Sequence, residues 1–246
     1  RPLWPLFTRA FTLADMVQPL SNFLAAWARA RGFMGPIVII PNGVDTKRFV
    51  GEKVAHEHTV LITTSRLVVK NAVDVVIRAL ALLPNEVHFN ILGIGPDEAK
   101  LKALALSLGV QDRTHFIGHV DHKDMPGYLH AADIFIRPSR SEGQGASFIE
   151  AMGAGLPVIA TQEGGISDFL FDAKINPEKP TTGWAVGVDS PDDVARQVKA
   201  ILSDQGFARK VVETARVLAS DRYDWDLIAK DMREKVLGKV LEAHIQ

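Results

Sequence analysis

"DIFIRPSRSEGQGASFIEAMGAGLPVIAT", residues 133–161, is the stretch that decides the fold. An apolar run over 133–138 ends at Pro138, a Ser- and Gly-rich loop follows, and helical spacing begins near Ser147 and continues to Ala154. A turn at Gly155 then leads into a second apolar run, 157–161. Strand, loop, helix and strand in this order make a βαβ unit, whose crossover forces the two strands to run parallel. In such sheets ligands bind beyond the C-terminal ends of the strands, so Glu142 in the loop and Glu150 in the helix both fall at the functional edge. Gly143 and Gly145 let backbone N–H groups approach a ligand, and the start of the following helix favours negative charge. Each glutamate has two readings. Ser147-x-x-Glu150 has the spacing of a capping box, so Glu150 is a helix cap or a ligand acceptor; Glu142 is a solvated loop acid or a ligand-facing one.

The same alternation extends in both directions. Further strands are predicted at 37–41, 59–64, 87–92, 114–118 and 184–188, with helices at 72–83, 98–108, 123–131, 191–203 and 205–219. The fold class is therefore α/β, a doubly wound Rossmann-like parallel sheet. Two pieces stand outside the repeat: a turn and amphipathic helix over 12–33, and a long helix within 224–244 whose apolar positions are Leu227, Ile228, Met232, Val236, Leu237 and Val240. Neither has an obvious partner inside the repeat.

Composition narrows the classes of function. In 246 residues, 28 Lys and Arg nearly balance 29 Asp and Glu, so no global basic field points to nucleic acid as a partner. The absence of cysteine excludes disulfides, thiolate catalysis and cysteine zinc sites, and it is compatible with a reducing, cytoplasmic setting. No apolar run reaches the roughly 20 residues of a membrane-spanning helix. Peripheral contact at the inner face of a membrane stays open. The opening Arg1-Pro2-Leu3-Trp4 has neither a methionine nor the order of a secretory signal, as expected for part of a longer protein.

A second segment shares the edge at which the glutamates lie. Ser65-Arg66-Leu67-Val68-Val69-Lys70-Asn71 follows the strand at 59–64 and precedes a helix, placing two cations four positions apart. A guanidinium forks onto phosphate oxygens and an ammonium adds a point charge, so the pair suits a diphosphate.

Together these segments resemble the C-terminal, donor-binding half of GT-B glycosyltransferases, specifically the retaining group with a Glu-x7-Glu motif (glycosyltransferase group 1, family 4). The matching blocks stand in order as "IIPNGVDTKRF", "TSRLVVKNAVDVVIRAL", "FNILGIGPDEAKLKALA", "HFIGHVDHKDMPGYLHAADIFIRPSRSEGQGASFIEAMGAGLPVIATQEGGISDFL" and "GWAVGVDSPDDVARQVKAIL". The resemblance implies that Arg66 and Lys70 hold the donor diphosphate, that Glu142 faces the transferred sugar, and that Glu150 accepts from the ribose hydroxyls. It further implies that the backbone of Gly145, Ala146, Ser147 and Phe148 lines sugar and phosphates, and that Gly118, His119 and Val120 lie near the base; Glu163-Gly164-Gly165, after the apolar run at 157–161, is either a turn or a glycine-lined approach to sugar or phosphate. The nucleotide-diphospho-sugar is a substrate, and no metal or other cofactor is required. Departures are Asn71 for a frequent glycine, Gln144 for a frequent aromatic and Asp168 for a frequent glutamate.

By the same resemblance, residues 1–41 are the remnant of an N-terminal acceptor domain, 42–220 the nucleotide-sugar-binding domain and 221–246 a C-terminal crossover helix. The implied partners are the donor, a glycan, lipid-linked or small-molecule acceptor, and the rest of the acceptor domain. The competing readings are a non-catalytic half that needs a partner chain, and an epimerase or phosphorylase on the same fold. Three weaker motifs have simpler explanations. Gly93-Ile94-Gly95-Pro96 lacks the third glycine of a dinucleotide fingerprint and reads as a tight turn. His119 and His122 form an H-x-x-H without helical spacing and read as solvated loop histidines. The aromatics Trp4, Phe7, Phe11, Trp27 and Phe33 read as a core or domain contact before a membrane patch.

Overall fold

The apolar runs form one six-stranded, wholly parallel sheet in a computed structural model that describes residues 4–245. Helices α1 (Trp4–Thr12) and α2 (Asn22–Ala30) precede it. The repeat then runs β1 (Thr59–Thr64), α3 (Val73–Leu80), β2 (Val87–Leu92), α4 (Glu98–Ser107), β3 (Thr114–Gly118), α5 (Met125–His130), β4 (Ile134–Arg137), α6 (Ala146–Gly153), β5 (Val158–Ala160) and β6 (Trp184–Ala185). Helices α7 (Pro191–Ser203) and α8 (Gln205–Tyr223) follow, then α9 (Trp225–Asp231), a π-helical turn (Met232–Leu237) and α10 (Gly238–Ile245).

Strand order is β3-β2-β1-β4-β5-β6, the doubly wound arrangement, with the chain reversing direction across the sheet between β1 and β4. β1 beyond Thr59 and the whole of β4 are buried at every position because both faces of the central sheet are covered. Leu61, Phe89, Ile134 and Ile159 pack with α3, α4 and α7 on one face. Ile62, Phe135 and Val158 pack with α6, α8 and Phe49 on the other. The two apolar layers hold β1 and β4 rigidly side by side, Leu61 against Ile134 and Ile62 against Phe135. Their C-terminal ends therefore open into a shared crevice.

Three expectations are corrected. The strand predicted at 37–41 never joins the sheet: a parallel bridge links Val17 to Ile37, and the Val38 and Ile40 N–H groups donate to the carbonyls of Val17 and Pro19. Its backbone is satisfied by the segment just before α2, so pairing with the sheet is not needed. Residues 12–33 do find a partner. Ser21, fully buried, caps α2, and the Asp168 carboxylate accepts from the backbone and side chain of Asn22, tying α2 to the turn at Gly164–Asp168. The long C-terminal helix is interrupted by the π turn, and Leu227, Leu237 and Leu241 stay exposed while Ile228 is buried.

Candidate functional site

The crevice between β1 and β4 is walled by the loop 65–72, which places the two predicted cations. Asn71 Nδ2 donates to the Arg66 carbonyl at 2.7 Å, closing this loop on itself. Asn71 thus does by a side-chain bond what a glycine there cannot. Arg66 is exposed, and its side chain has no hydrogen-bond or ion-pair partner among the described residues. It lines an open hollow of about 700 Å³ with Ser65, Gly93, Gly95 and His119. Lys70 is also exposed and lies 3.8 Å from Glu142 Oε1.

Glu142 is held from below. Arg137 Nη2 donates to its Oε2 at 2.9 Å, and the Gly143 N–H donates to its Oε1 at 3.0 Å. The two side chains are 7% and 13% exposed, so this is a buried ion pair. Arg137 also donates to the Thr64 carbonyl and the Ser147 hydroxyl, and its guanidinium sits over the Phe148 ring at 4.2 Å. Burial lowers its pKa to about 10, against the opposing pull of Glu142 and Glu150, so it remains charged at neutral pH. Arg140 bridges the two loops of the crevice. Its guanidinium pairs with both Asp74 oxygens and with Asp189, and its N–H donates to the Lys70 carbonyl.

Glu150 corrects the capping-box reading. Helix α6 begins at Ala146, one residue before the predicted cap, and its N-cap is Gly145 at φ +86°, a conformation that favours glycine over serine. Ser147 is therefore inside the helix, with its hydroxyl accepting from Arg137. The Glu150 carboxylate turns away from the helix start to His122, whose Nε2 is 3.0 Å from Oε1. The first turn of α6 keeps the N–H groups of Ala146 and Ser147 without intrahelical acceptors, at the crevice end.

The remaining candidates are less uniform. Phe148 is fully buried, so only its backbone could line a ligand. The Gly118 carbonyl accepts from the Gly93 N–H at 2.6 Å, His119 is exposed beside Asp121, and Val120 packs against the core. His119 and His122 turn to different partners, which parts the H-x-x-H. A Cβ on Gly164 would lie 2.1 Å from the Glu142 carbonyl, so this glycine is needed for the close approach of its loop to the crevice. Likewise a Cβ on Gly95 would lie 2.2 Å from the Leu67 carbonyl, which accounts for the Gly93-x-Gly95 pair by packing. Helix α4 starts at Glu98, two residues beyond Pro96. The chain has an Asp-x-Asp sequence, Asp224-Trp225-Asp226, but Asp224 caps α9 and bonds Thr46, and Asp226 pairs with Lys47. Phe11 meets Trp27 and Phe33 ring to ring at 6.1 and 5.6 Å, an internal cluster; the side chains of Trp4 and Phe7 lie outside the described residues. No helix among the described residues is long and apolar enough to cross a membrane.

Sequence reading missed Arg137 and Arg140, took His122 for a solvated loop histidine and noted Gln144 only as a departure from the family pattern. Arg137 carried a usable signal: a cation closing an apolar strand just before a proline has to be buried with an acid near it. Gln144, buried, bonds both the N–H and the carbonyl of Asn42 and so fastens the 41–43 turn to the glycine loop. Nothing in the local sequence pairs positions 102 apart.

Fold and crevice together define a Rossmann-like α/β domain with two exposed cations and a helix N-terminus at the C-terminal ends of its strands. The particular family follows from comparison: the chain belongs to the glycosyl transferases group 1 family, whose model matches residues 45–218. It is 30% identical over 245 residues to the GDP-mannose-dependent alpha-(1-6)-phosphatidylinositol monomannoside mannosyltransferase of Mycobacterium tuberculosis, covering 91% of this chain and 62% of that protein. It is 27% identical over 258 residues to the putative colanic acid biosynthesis glycosyltransferase WcaL of Escherichia coli, covering 98% and 59%. The chain thus spans about three fifths of the length of these relatives. Among solved structures, Anabaena Alr3699/HepE in complex with UDP-glucose superposes with a TM-score of 0.85 at 21% identity, covering 95% of this chain and 67% of that one, which establishes the likeness of fold.

Proposed function

We propose that this chain is the donor-binding part of a retaining glycosyltransferase of the Glu-x7-Glu type, transferring a sugar from a nucleotide-diphospho-sugar to an acceptor hydroxyl. The observation that carries this reading is that exposed Arg66 and Lys70 stand in the loop after β1, with Lys70 3.8 Å from Glu142 in the loop after β4, the loop that leads into the first turn of α6. When the glycosidic bond breaks, the departing diphosphate gains negative charge, and preorganised cations and N–H dipoles stabilise that change more than they stabilise the bound donor. Arg66, unpaired and fork-shaped, takes phosphate oxygens, and Lys70 adds a point charge beside it.

Glu142 orients the sugar. Two of its acceptor positions are occupied by Arg137 and the Gly143 N–H, and the remaining lone pairs are left for sugar hydroxyls. Glu150 binds the ribose hydroxyls. Because the two side-chain cations and the helix dipole supply the charge that a divalent ion would supply, the reading needs no metal. The additional length of the relatives is where acceptor recognition is placed, with the acceptor a lipid-linked or surface glycan and the setting cytoplasmic.

The test is calorimetry with UDP, GDP and ADP, with and without a chelator. Replacing Arg66 and Lys70 together by alanine is expected to weaken the tightest of these about a hundredfold, from roughly 1.5 kcal/mol per charge-assisted contact. Unchanged affinity would sink the diphosphate assignment, and loss of binding on chelation would sink the metal-free reading.

A further inference from the structure

We infer that His122 is a positioning residue for the nucleoside subsite, fixed by Arg48 and aiming the Glu150 carboxylate at the ribose; this rests on the donor-binding reading above. Three side chains from three separate elements form the device. Arg48, in the 3-10 turn Thr46–Phe49 of the connector, lies 3.1 Å from His122 Nδ1, and His122 Nε2 lies 3.0 Å from Glu150 Oε1. A guanidinium can only donate and a carboxylate can only accept, so the partners assign the tautomer: Nδ1 accepts from Arg48, and Nε2–H donates to Glu150. The ring is also held sterically, edge-on to Phe49 at 5.9 Å, and Phe49 is fully buried in the core.

The exposures fit a device that works on a ligand. His122 is 57% exposed and Glu150 14%, so the carboxylate is sheltered and the imidazole stands at its open side. A sheltered carboxylate that accepts one N–H still has lone pairs for two vicinal hydroxyls, and the fixed imidazole decides which way they face. Without His122 the carboxylate has no side-chain hydrogen-bond partner among the described residues and is free to change rotamer. His122 also lies in the loop 119–124 that follows β3, the same loop as His119. The structure thus gives this loop a contact to the Glu150 carboxylate, which spacing alone did not reveal.

The prediction is a change in discrimination, not merely in affinity. Wild-type chain and the variants His122→Ala and His122→Gln are titrated with UDP, GDP and ADP and with the 2′,3′-dideoxy form of each, with circular dichroism and melting as controls of folding. The wild type should bind the tightest ribonucleotide at least about tenfold better than its dideoxy form, the lower end of what hydrogen bonds to a charged group contribute. In His122→Ala that ratio should fall toward one while the dideoxy affinity stays unchanged. His122→Gln, which keeps a donor for Glu150 and an acceptor for Arg48, should hold most of the ratio. A wild-type ratio retained in His122→Ala, or an equal loss for both forms of the nucleotide, overturns the positioning role. A wild type that binds the diphosphates without distinguishing ribose overturns it together with the role of Glu150, leaving the cation assignment intact. Binding of none of the six by the wild type overturns the donor reading itself.

Discussion

At the N-terminal ends of the strands Arg113 donates to four backbone carbonyls, those of Leu80, Leu83, Pro84 and Val87, whereas at the C-terminal ends the Arg66 side chain has no partner among the described residues. The contrast extends to neighbouring groups. Near Arg113 the rings of His58, His88 and His115 stack in a row and His88 Nδ1 meets His115 Nε2 at 3.0 Å. At the opposite ends of the strands the hydroxyls of Thr63, Thr64, Ser65 and Ser139 and the Nε of Arg137 are buried without partners. Folded proteins pair nearly all their buried polar groups, and the exceptions call for an explanation. One end of the sheet closes its polar network on itself; the other leaves it open, as expected where water or a ligand completes it.

The sharpest way to break this comparison is Arg137→Met. Removing the cation leaves the mostly buried Glu142 carboxylate with only the Gly143 N–H and the exposed Lys70 at 3.8 Å, and breaking a buried pair typically costs 3–5 kcal/mol. Urea unfolding should register that loss, and a change below about 1 kcal/mol would mean that solvent already screens the pair. Next in size is the double Arg66→Ala, Lys70→Ala variant. Its nucleotide affinity drops as described above, yet its unfolding free energy should stay within about 0.5 kcal/mol of wild type because neither side chain is buried. Larger destabilisation would show these cations to be structural, as Arg113 is.

Arg113→Ala supplies the mirror experiment. Four carbonyls lose their donor, some to water, so about 1–2 kcal/mol of stability should disappear with nucleotide affinity unchanged. A matching fall in affinity would erase the distinction between the two ends. The smallest effect concerns His88. Burial, then the neighbouring His58, His115 and Arg113, lower its pKa below the ordinary 6.5. The unfolded chain therefore binds the proton more readily. Stability from this group is complete above pH 6.5 and is lost as pH falls through the lower folded value. Melting temperature should decline slightly between pH 7 and 5, and less so in His88→Gln. An equal decline in both proteins would assign the pH dependence to other groups.

Much of this organisation is legible in the sequence because it depends on local periodicity. The apolar runs at Thr59–Thr64, Val87–Leu92 and Thr114–Gly118 appear at the positions expected of them, as does α7 over Pro191–Ser203. Arg66, Lys70, Glu142 and Glu150 could be singled out because strand-end loops in parallel sheets converge on one edge. Position was the easier half. What each residue touches was not legible: Ser147-x-x-Glu150 satisfied the spacing of a capping box, but Gly145 took the cap and His122, 28 residues away, took the carboxylate. The run at 37–41 had strand composition, yet its backbone was satisfied by residues 17 and 19.

Sequence alone determined the class of the fold, the order of its elements and the edge at which Arg66, Lys70, Glu142 and Glu150 gather, because apolar period and turn residues act within a few positions of themselves. Tertiary structure decided which charges are spent and which remain available. Arg137 and Arg140 are consumed in building the crevice, while Arg66 and Lys70 face outward. That division depends on burial and on partners brought together from distant parts of the chain, and in a low-dielectric interior a partner a few ångströms away outweighs any local preference.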